Sequence, residues 1–309
     1  MKKLLLAATC AALIGGALSL RADQGTTAAA FLKLATGPRV IAMGENFTGL
    51  ADDANAVRYN AAGTAYMDES EATLMHAIWI EDIFYDDMAA AFPMKNIGTI
   101  GTEIFYLNAG NFDGYNSAGV ATGQFSAGAM SATLSFARKI VDSVSLGLAA
   151  KYLSENIDGQ SSTGFAIDLS TLYKTPIKGL SAGINVANLG PAMGYSQAFT
   201  LPVNVRFGAA YSAAKDINVV CDYTQPIETA GVFGIGGEYG YKDFLVVRGG
   251  FKFQGGFDYN QVEEGYGPSA AAGLTLGMGL KYGRFGFDYA YAPQGFLGDT
   301  HRFALNFKF

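Results

Sequence analysis

From residue 71 to the C-terminus, apolar and polar positions alternate in short runs bounded by turn residues, the period-two signature of strands with two unlike faces. The clearest run is the last. Phe303, Leu305, Phe307 and Phe309 fall on one side, and Arg302, Ala304, Asn306 and Lys308 on the other. Runs of this kind predict fourteen strands, at 71–80, 86–94, 98–108, 126–138, 144–155, 163–173, 179–188, 203–211, 217–224, 232–239, 244–253, 271–281, 285–291 and 301–309. Most approach the roughly 9–11 residues of a tilted membrane strand. A soluble sheet with four large apolar groups on an exposed edge strand aggregates, whereas a barrel wall turns that face to lipid.

The connections add a second signal. Short turns are expected at 95–96, 139–142, 174–178, 212–216, 240–243 and 283, and longer loops near 109–125, 156–162, 189–202, 225–231, 254–270 and 292–300, with a brief one at 81–85. Short and long connections in alternation are how outer-membrane barrels place tight turns on one side and loops on the other. Charges also keep to one face. Val205, Phe207, Ala209 and Tyr211 oppose Arg206; Leu245, Val247, Phe251 and Phe253 oppose Arg248 and Lys252; Leu274, Leu276, Met278 and Leu280 oppose Lys281; Phe285, Phe287, Tyr289 and Tyr291 oppose Asp288. That segregation is what the cost of a charge in hydrocarbon demands. The expected fold class is therefore an all-β membrane protein, a fourteen-stranded antiparallel outer-membrane β-barrel with a short N-terminal plug. Trp79 is expected in an interfacial aromatic girdle.

Ahead of the strands the pattern changes. Lys2 and Lys3 followed by the apolar stretch 4–20 read as a signal peptide over residues 1–22. Residues 23–68 lack strand alternation and are expected to form the plug, and residues 69–309 the transmembrane barrel. Within the plug, 28–34 and 47–57 read as short helices, with Asp52 and Asp53 near the middle of the second, and Asn60-Ala61-Ala62-Gly63 as a turn.

Composition narrows the chemistry. With 40 glycines, 13% aromatic and 16% charged residues, the composition argues against disorder. Past the N-terminus no apolar run reaches the roughly 18 residues of a membrane helix. After cleavage Cys221 alone remains, which excludes an intramolecular disulfide, and loss of Lys2, Lys3 and Arg21 leaves 18 of the 21 basic residues against 27 acidic ones. Such acidity gives no support for nucleic acid as a partner. His76 and His301 stand without a nucleophile motif, Gly234-Ile235-Gly236-Gly237 sits in a strand with no helix after it, and Asp86-Asp87 and Glu263-Glu264 read as solvated loop charges. No enzyme, cofactor or metal site is expected.

Three separated stretches resemble the PorV/PorQ family, itself similar to the FadL-type channels. They are Gly25-Thr26-Thr27 through Leu50-Ala51-Asp52-Asp53-Ala54 to Asn60-Ala61-Ala62-Gly63; Asn188-Leu189-Gly190-Pro191 through Phe207-Gly208-Ala209-Ala210-Tyr211; and Asp288-Tyr289-Ala290-Tyr291 through Leu297-Gly298-Asp299-Thr300-His301-Arg302. Where the family usually carries Asn-Pro-Ala-Gly, this chain has Ala61 in place of the proline. The resemblance implies a barrel with an N-terminal hatch and one of two roles. One is a type IX secretion component that binds cargo signal domains through the loops 109–125, 189–202 and 254–270, with secreted cargo or secretion-system subunits as partners. The alternative is a FadL-like passive channel for long-chain fatty acids or other hydrophobic small molecules. Partners common to both are outer-membrane lipids and the barrel assembly machinery, to which Phe303, Phe307 and Phe309 present a terminal signal.

The residues singled out follow from the faces. Plug residues Asp52, Asp53, Arg58, Asn60 and Gly63 are expected to be pinned by inward-facing charges. The sharper expectation is that an unpaired cation among Arg206, Arg248, Lys252, Lys281 and Arg302 holds the carboxylate of an amphipathic ligand.

Overall fold

The computed structural model describes residues 25–80, 83–254, 273–293 and 298–309. The expected signal peptide, Glu263-Glu264 and nearly all of the expected 254–270 loop lie outside the described residues.

Fourteen antiparallel strands close into one barrel. In chain order they are β1 (Glu71–Ile78), β2 (Phe84–Met94), β3 (Gly98–Tyr115), β4 (Ala121–Val141), β5 (Val144–Ile157), β6 (Gln160–Lys174), β7 (Leu180–Leu189), β8 (Asn204–Ala214), β9 (Ile217–Pro226), β10 (Val232–Tyr241), β11 (Leu245–Gln254), β12 (Leu274–Tyr282), β13 (Phe285–Pro293) and β14 (Asp299–Lys308). Each pairs with its chain neighbours, and β14 returns to β1 with Glu71 opposite Lys308 and Ile78 opposite His301. Closure removes the edge strands that would otherwise recruit other chains.

The two faces separate as the alternation demands. On β1, Glu71, Thr73, Met75 and Ala77 are buried inward, while Leu74 and Ile78 are 57% and 50% exposed outward. On β14, Arg302 and Ala304 point in, and Leu305, Phe307 and Phe309 point out. A charge on the outward face at mid-depth costs about 2–4 kcal/mol, so the apolar exterior identifies a wall built for lipid. Among the described residues no helix is long and apolar enough to cross a membrane; the strands make the crossing.

Several local expectations change. The stretch 109–125 is largely strand, because β3 and β4 continue pairing as far as Tyr115 and Ala121. Beyond Asn108 and Ala127 this ribbon loses its outer partners β2 and β5 and projects from the rim with both edges unpaired. The expected 156–162 loop shrinks to a turn between Ile157 and Gln160. Asp86 and Asp87 lie in β2, Asp87 only 2% exposed, so they are not loop charges. Trp79 faces inward rather than into a girdle, packing edge-on against buried Tyr85 because it shares the parity of Met75 and Ala77.

Residues 25–66 lie inside the ring of strands. They contain two single 3-10 stretches, Ala30–Lys33 and Ala61–Tyr66, and two short helices, α1 (Pro38–Ala42) and α2 (Ala56–Tyr59). The expected helix over 47–57 is absent: Asp52 and Asp53 sit in the turns that precede α2, where the Asp53 carboxylate accepts the Asn55 backbone N–H at 2.8 Å. An aspartate that bonds the backbone two residues on favours such a turn over a helix interior. Asn60-Ala61-Ala62-Gly63 leads into a 3-10 stretch rather than a simple turn.

Glycines on the inner wall let this segment approach the strand backbones. A Cβ on Gly236 would stand 2.1 Å from the Met43 carbonyl oxygen, and one on Gly250 2.2 Å from the Gly44 nitrogen. Only a residue without a side chain fits there.

Candidate functional site

The inner wall and the N-terminal segment meet through charges that leave few groups unpaired. Arg39, on α1, is the hub. Its Nη1 reaches Asp52 and Asp53 at 2.7 Å each, and its Nε and Nη2 grip Glu238 of β10 at 3.0 and 2.5 Å. Glu238 also accepts from Arg248 at 3.0 Å and from Asn218 at 2.9 Å. Arg248 continues to Asp288 at 2.5 Å, whose second oxygen accepts from Asn306 at 2.6 Å. One continuous network thus links α1 to β9, β10, β11, β13 and β14.

A second anchor holds α2. Arg58 pairs with Glu103 of β3 at 3.0 Å, donates to the Leu34 carbonyl at 3.0 Å, and lies 5.2 Å over the Phe105 ring. Burial alone would lower its pKa, but Glu103 and then Asp87 outweigh that and raise it. Asn60 donates to the Thr48 and Thr171 carbonyls at 2.7 and 3.1 Å. Gly63 lies so close to Ala51 that a Cβ would stand 2.0 Å from its carbonyl oxygen. Arg302 reaches the segment indirectly, donating at 2.9 Å to the Tyr85 hydroxyl, which itself donates to the Ala35 carbonyl at 2.9 Å.

Beside this network a cavity of about 570 Å³ opens between the segment and β8–β11, bordered by Glu45, Asn46, Asn204, Arg206, Asp222 and Lys252. Lys252 is bound to Glu45 at 2.5 Å. Burial would raise the Glu45 carboxyl, but the Lys252 ammonium, with Arg206 and Arg302 further off, holds it below the usual carboxylate range. Asp222 accepts the Phe47 and Thr48 N–H groups at 3.0 and 2.9 Å through one oxygen, while its other oxygen is buried without a hydrogen bond. Arg206 lies 5.0 Å over the Tyr59 ring and touches Asn204 at 3.4 Å; no carboxylate among the described residues ion-pairs with it.

The five expected ligand cations therefore divide. Arg248 and Lys252 are committed to carboxylates, which corrects their reading as open ligand groups. Arg302 is held by Tyr85 and Thr300, and Lys281 is exposed at the end of β12, away from the cavity. Among the described residues, Arg206 alone of the five both borders the cavity and lacks a carboxylate.

Above the segment, toward the ends of the strands away from the chain termini, the interior turns apolar. Phe31 stacks on Phe105 at 5.8 Å, and Tyr85, Leu153, Met193 and Leu201 complete the cluster. Met193 and Leu201 come from the β7–β8 connection, which folds inward and ties to the segment through the Ala28 N–H on the Thr200 carbonyl at 3.0 Å. Both histidines face outward: His76 pairs with Asp86 at 2.7 Å, and His301 bonds the Tyr289 hydroxyl at 2.8 Å. Among the described residues no His, Cys, Asp and Glu grouping is arranged to hold a metal ion.

Arg39, Glu45 and Glu103 carry much of this geometry but do not stand out in the sequence. Arg39 lies in the segment without periodicity, so no face assigns it. The available signal was stoichiometric: inward acids such as Asp222, Glu238 and Asp288 require cations, and the segment carries two arginines, Arg39 and Arg58.

Fourteen strands thus close into a ring around an inward-folded N-terminal segment. Residues 7–190 match the model of an uncharacterised protein family, UPF0164, and the chain belongs to that family. Comparison with curated proteins gives no significant match. Among solved structures, the fold is similar to the Ralstonia pickettii toluene transporter TbuX, with a TM-score of 0.61 at 15% identity over 89% of this chain and 98% of that one. The Pseudomonas putida toluene transporter TodX gives 0.60 at 12% identity over 93% and 98%. A Pseudomonas aeruginosa FadL homologue gives 0.59 at 11% identity over 89% and 98%. At such identities the likeness concerns the fold.

Proposed function

We propose that this protein is a passive channel of the bacterial outer membrane for hydrophobic or amphipathic small molecules, with residues 25–66 as a plug inside it. The observation that carries the reading is the apolar cluster around Phe31, Phe105 and Tyr85, set on the loop side of the plug and adjoining a cavity where Arg206 has no carboxylate partner among the described residues. A molecule with an apolar body and an acidic end matches that sequence of surfaces. Barrels of the same fold that transport toluene, or are homologues of FadL, support it. Type IX secretion, which the PorV/PorQ resemblance implied, draws no support from these relatives, and the loop 109–125 that was to bind cargo is a strand ribbon.

The test is uptake in a Gram-negative host lacking its own hydrophobic-substrate channels. Expression should raise uptake of labelled toluene or a labelled long-chain fatty acid, and Arg206→Ala should depress fatty-acid uptake while sparing toluene. An inserted barrel that changes neither uptake overturns the proposal. Secretion-system subunits or cargo domains co-purifying with it would instead restore the secretion reading.

A further inference from the structure

The outer wall carries a second cavity, separate from the interior, of about 610 Å³ across β2–β5 at the root of the projecting ribbon. It is bordered by Phe84, Tyr106, Asn108, Asn111, Ser154 and Asn156 among others. The strand positions among these have the outward parity, alternating with buried inward Tyr85, Phe105 and Leu153. The hollow is formed by the wall itself. Between Asn108 and Asn111 the β3–β4 register shifts, so two residues of β3 oppose one of β4. Gly110 takes φ 83° there, a conformation that favours glycine. The Asn108 side chain accepts the Gly110 N–H at 2.8 Å, which fixes the bulge and leaves its amide N–H₂ free to donate.

The chemistry of the lining is specific. It offers amides and hydroxyls beside aromatic and thioether surface, and no cation among the described residues borders it. The neighbouring outward acid Asp86 is already occupied by His76. The side chains of Tyr106, Asn111 and Ser154 hydrogen-bond no other group among the described residues. Uncharged donors and acceptors next to a ring suit a neutral sugar, whereas a phosphate needs Lys, Arg or clustered N–H groups, which the described residues of this groove do not supply.

Along the strands the groove gives onto an apolar wall. Successive outward rungs run Asn108–Gly128–Asn156, then Tyr106–Met130–Ser154, then Ile104–Ala132–Tyr152, then Thr102–Leu134–Ala150. Each rung lies about 6–7 Å along the strands from the last. Polar groups therefore give way, over two or three rungs, to an apolar wall with Ile104 and Leu134 exposed by 43% and 62%. A headgroup in the groove would lay its hydrocarbon chains on that wall.

We infer that the β2–β5 groove binds the uncharged sugar headgroup of a glycolipid in the surrounding leaflet. The inference rests on the membrane placement proposed above. Native mass spectrometry of the full chain, released in a zwitterionic detergent, tests it with digalactosyldiacylglycerol, phosphatidylglycerol of the same acyl chains, and free digalactose as probes. Fractionation and heat-modifiable mobility of the barrel report separately on membrane insertion, so failure of the placement is distinguishable from failure of the groove. The glycolipid adduct should exceed the phosphatidylglycerol adduct about tenfold. Asn156→Ala, which removes hydrogen bonding from one groove side chain, should cut it about fivefold. Ser154→Leu, which fills the hollow from a position tolerant of apolar groups, should abolish the preference. Equal retention of both lipids, or unchanged preference in both variants, overturns the inference. Competition by free digalactose at equal concentration would overturn the lipid-linked part.

Discussion

At the residue scale, Arg39 is the group whose loss has the clearest consequence. It satisfies three carboxylates at once, and the side chains of two of them, Asp53 and Glu238, are each only 8% exposed. Removing one partner of a buried ion pair costs about 3–5 kcal/mol, because the remaining charge stays uncompensated. Glu238 keeps Arg248 and Asn218, so the damage falls on the segment rather than on the wall. Arg39→Ala should therefore speed backbone hydrogen exchange across residues 38–56 while β10 and β11 keep their protection. Arg39→Lys should recover only part, since an ammonium cannot bridge three carboxylates with a planar fork. Equal exchange in wild type and Arg39→Ala would show that the network does not hold the segment. The partner of this hub on the wall, Glu238, lies in a strand whose alternation assigns it a face; Arg39 has none, because a segment without periodicity offers no face to read. Asp87 shows the converse error. Paired with Asp86 in sequence it reads as loop, yet one residue of parity puts it inside and its neighbour outside against His76.

At the element scale, the strands were legible almost throughout, since a wall between lipid and a polar interior enforces alternation on every strand. The failures cluster at glycine. Gly110, Gly114, Gly119 and Gly123 make 109–125 look like a loop, but they serve two register shifts and a tight turn in a ribbon that otherwise keeps its ladder. On the inner wall, glycine marks where another backbone lies. Gly236 and Gly250 face Met43 and Gly44 at distances no Cβ tolerates, whereas Gly249, outward on the same strand, meets nothing closer than a Leu276 methyl at 3.8 Å. This contrast yields a prediction. Gly236→Val should displace the segment around Met43 while leaving the β9–β10–β11 ladder intact, because the added methyls point away from the strand pairing. In planar bilayers the variant should conduct ions above the wild-type level, and Gly249→Val should not. Wild-type conductance in a correctly folded Gly236→Val barrel would show that this contact does not close the lumen.

At the scale of the whole molecule, the seam between β1 and β14 decides whether the chain becomes a barrel at all. Phe309 sits beyond the last ladder pair, with its N–H on the Ser70 carbonyl at 2.9 Å, its ring stacked on Phe307 at 5.4 Å and edge-on to Phe92 at 6.0 Å. Two aromatic pairs contribute about 1–3 kcal/mol in total beyond area burial. The finished seam also has eight register pairs between β1 and β14 and the Lys308–Glu71 ion pair at 3.4 Å, so the loss of one terminal ring cannot open it. Deleting Phe309 should therefore leave the thermal unfolding midpoint of assembled barrel nearly unchanged. If the terminal aromatic is read by the assembly machinery, the same deletion should reduce the inserted fraction several-fold in cells, seen as loss of the heat-modifiable band. It should have little effect on spontaneous refolding into detergent micelles, where no machinery takes part. A parallel fall in cells and in micelles would mean that Phe309 acts through the stability of the seam alone, and an unchanged inserted fraction in cells would remove its role as a signal.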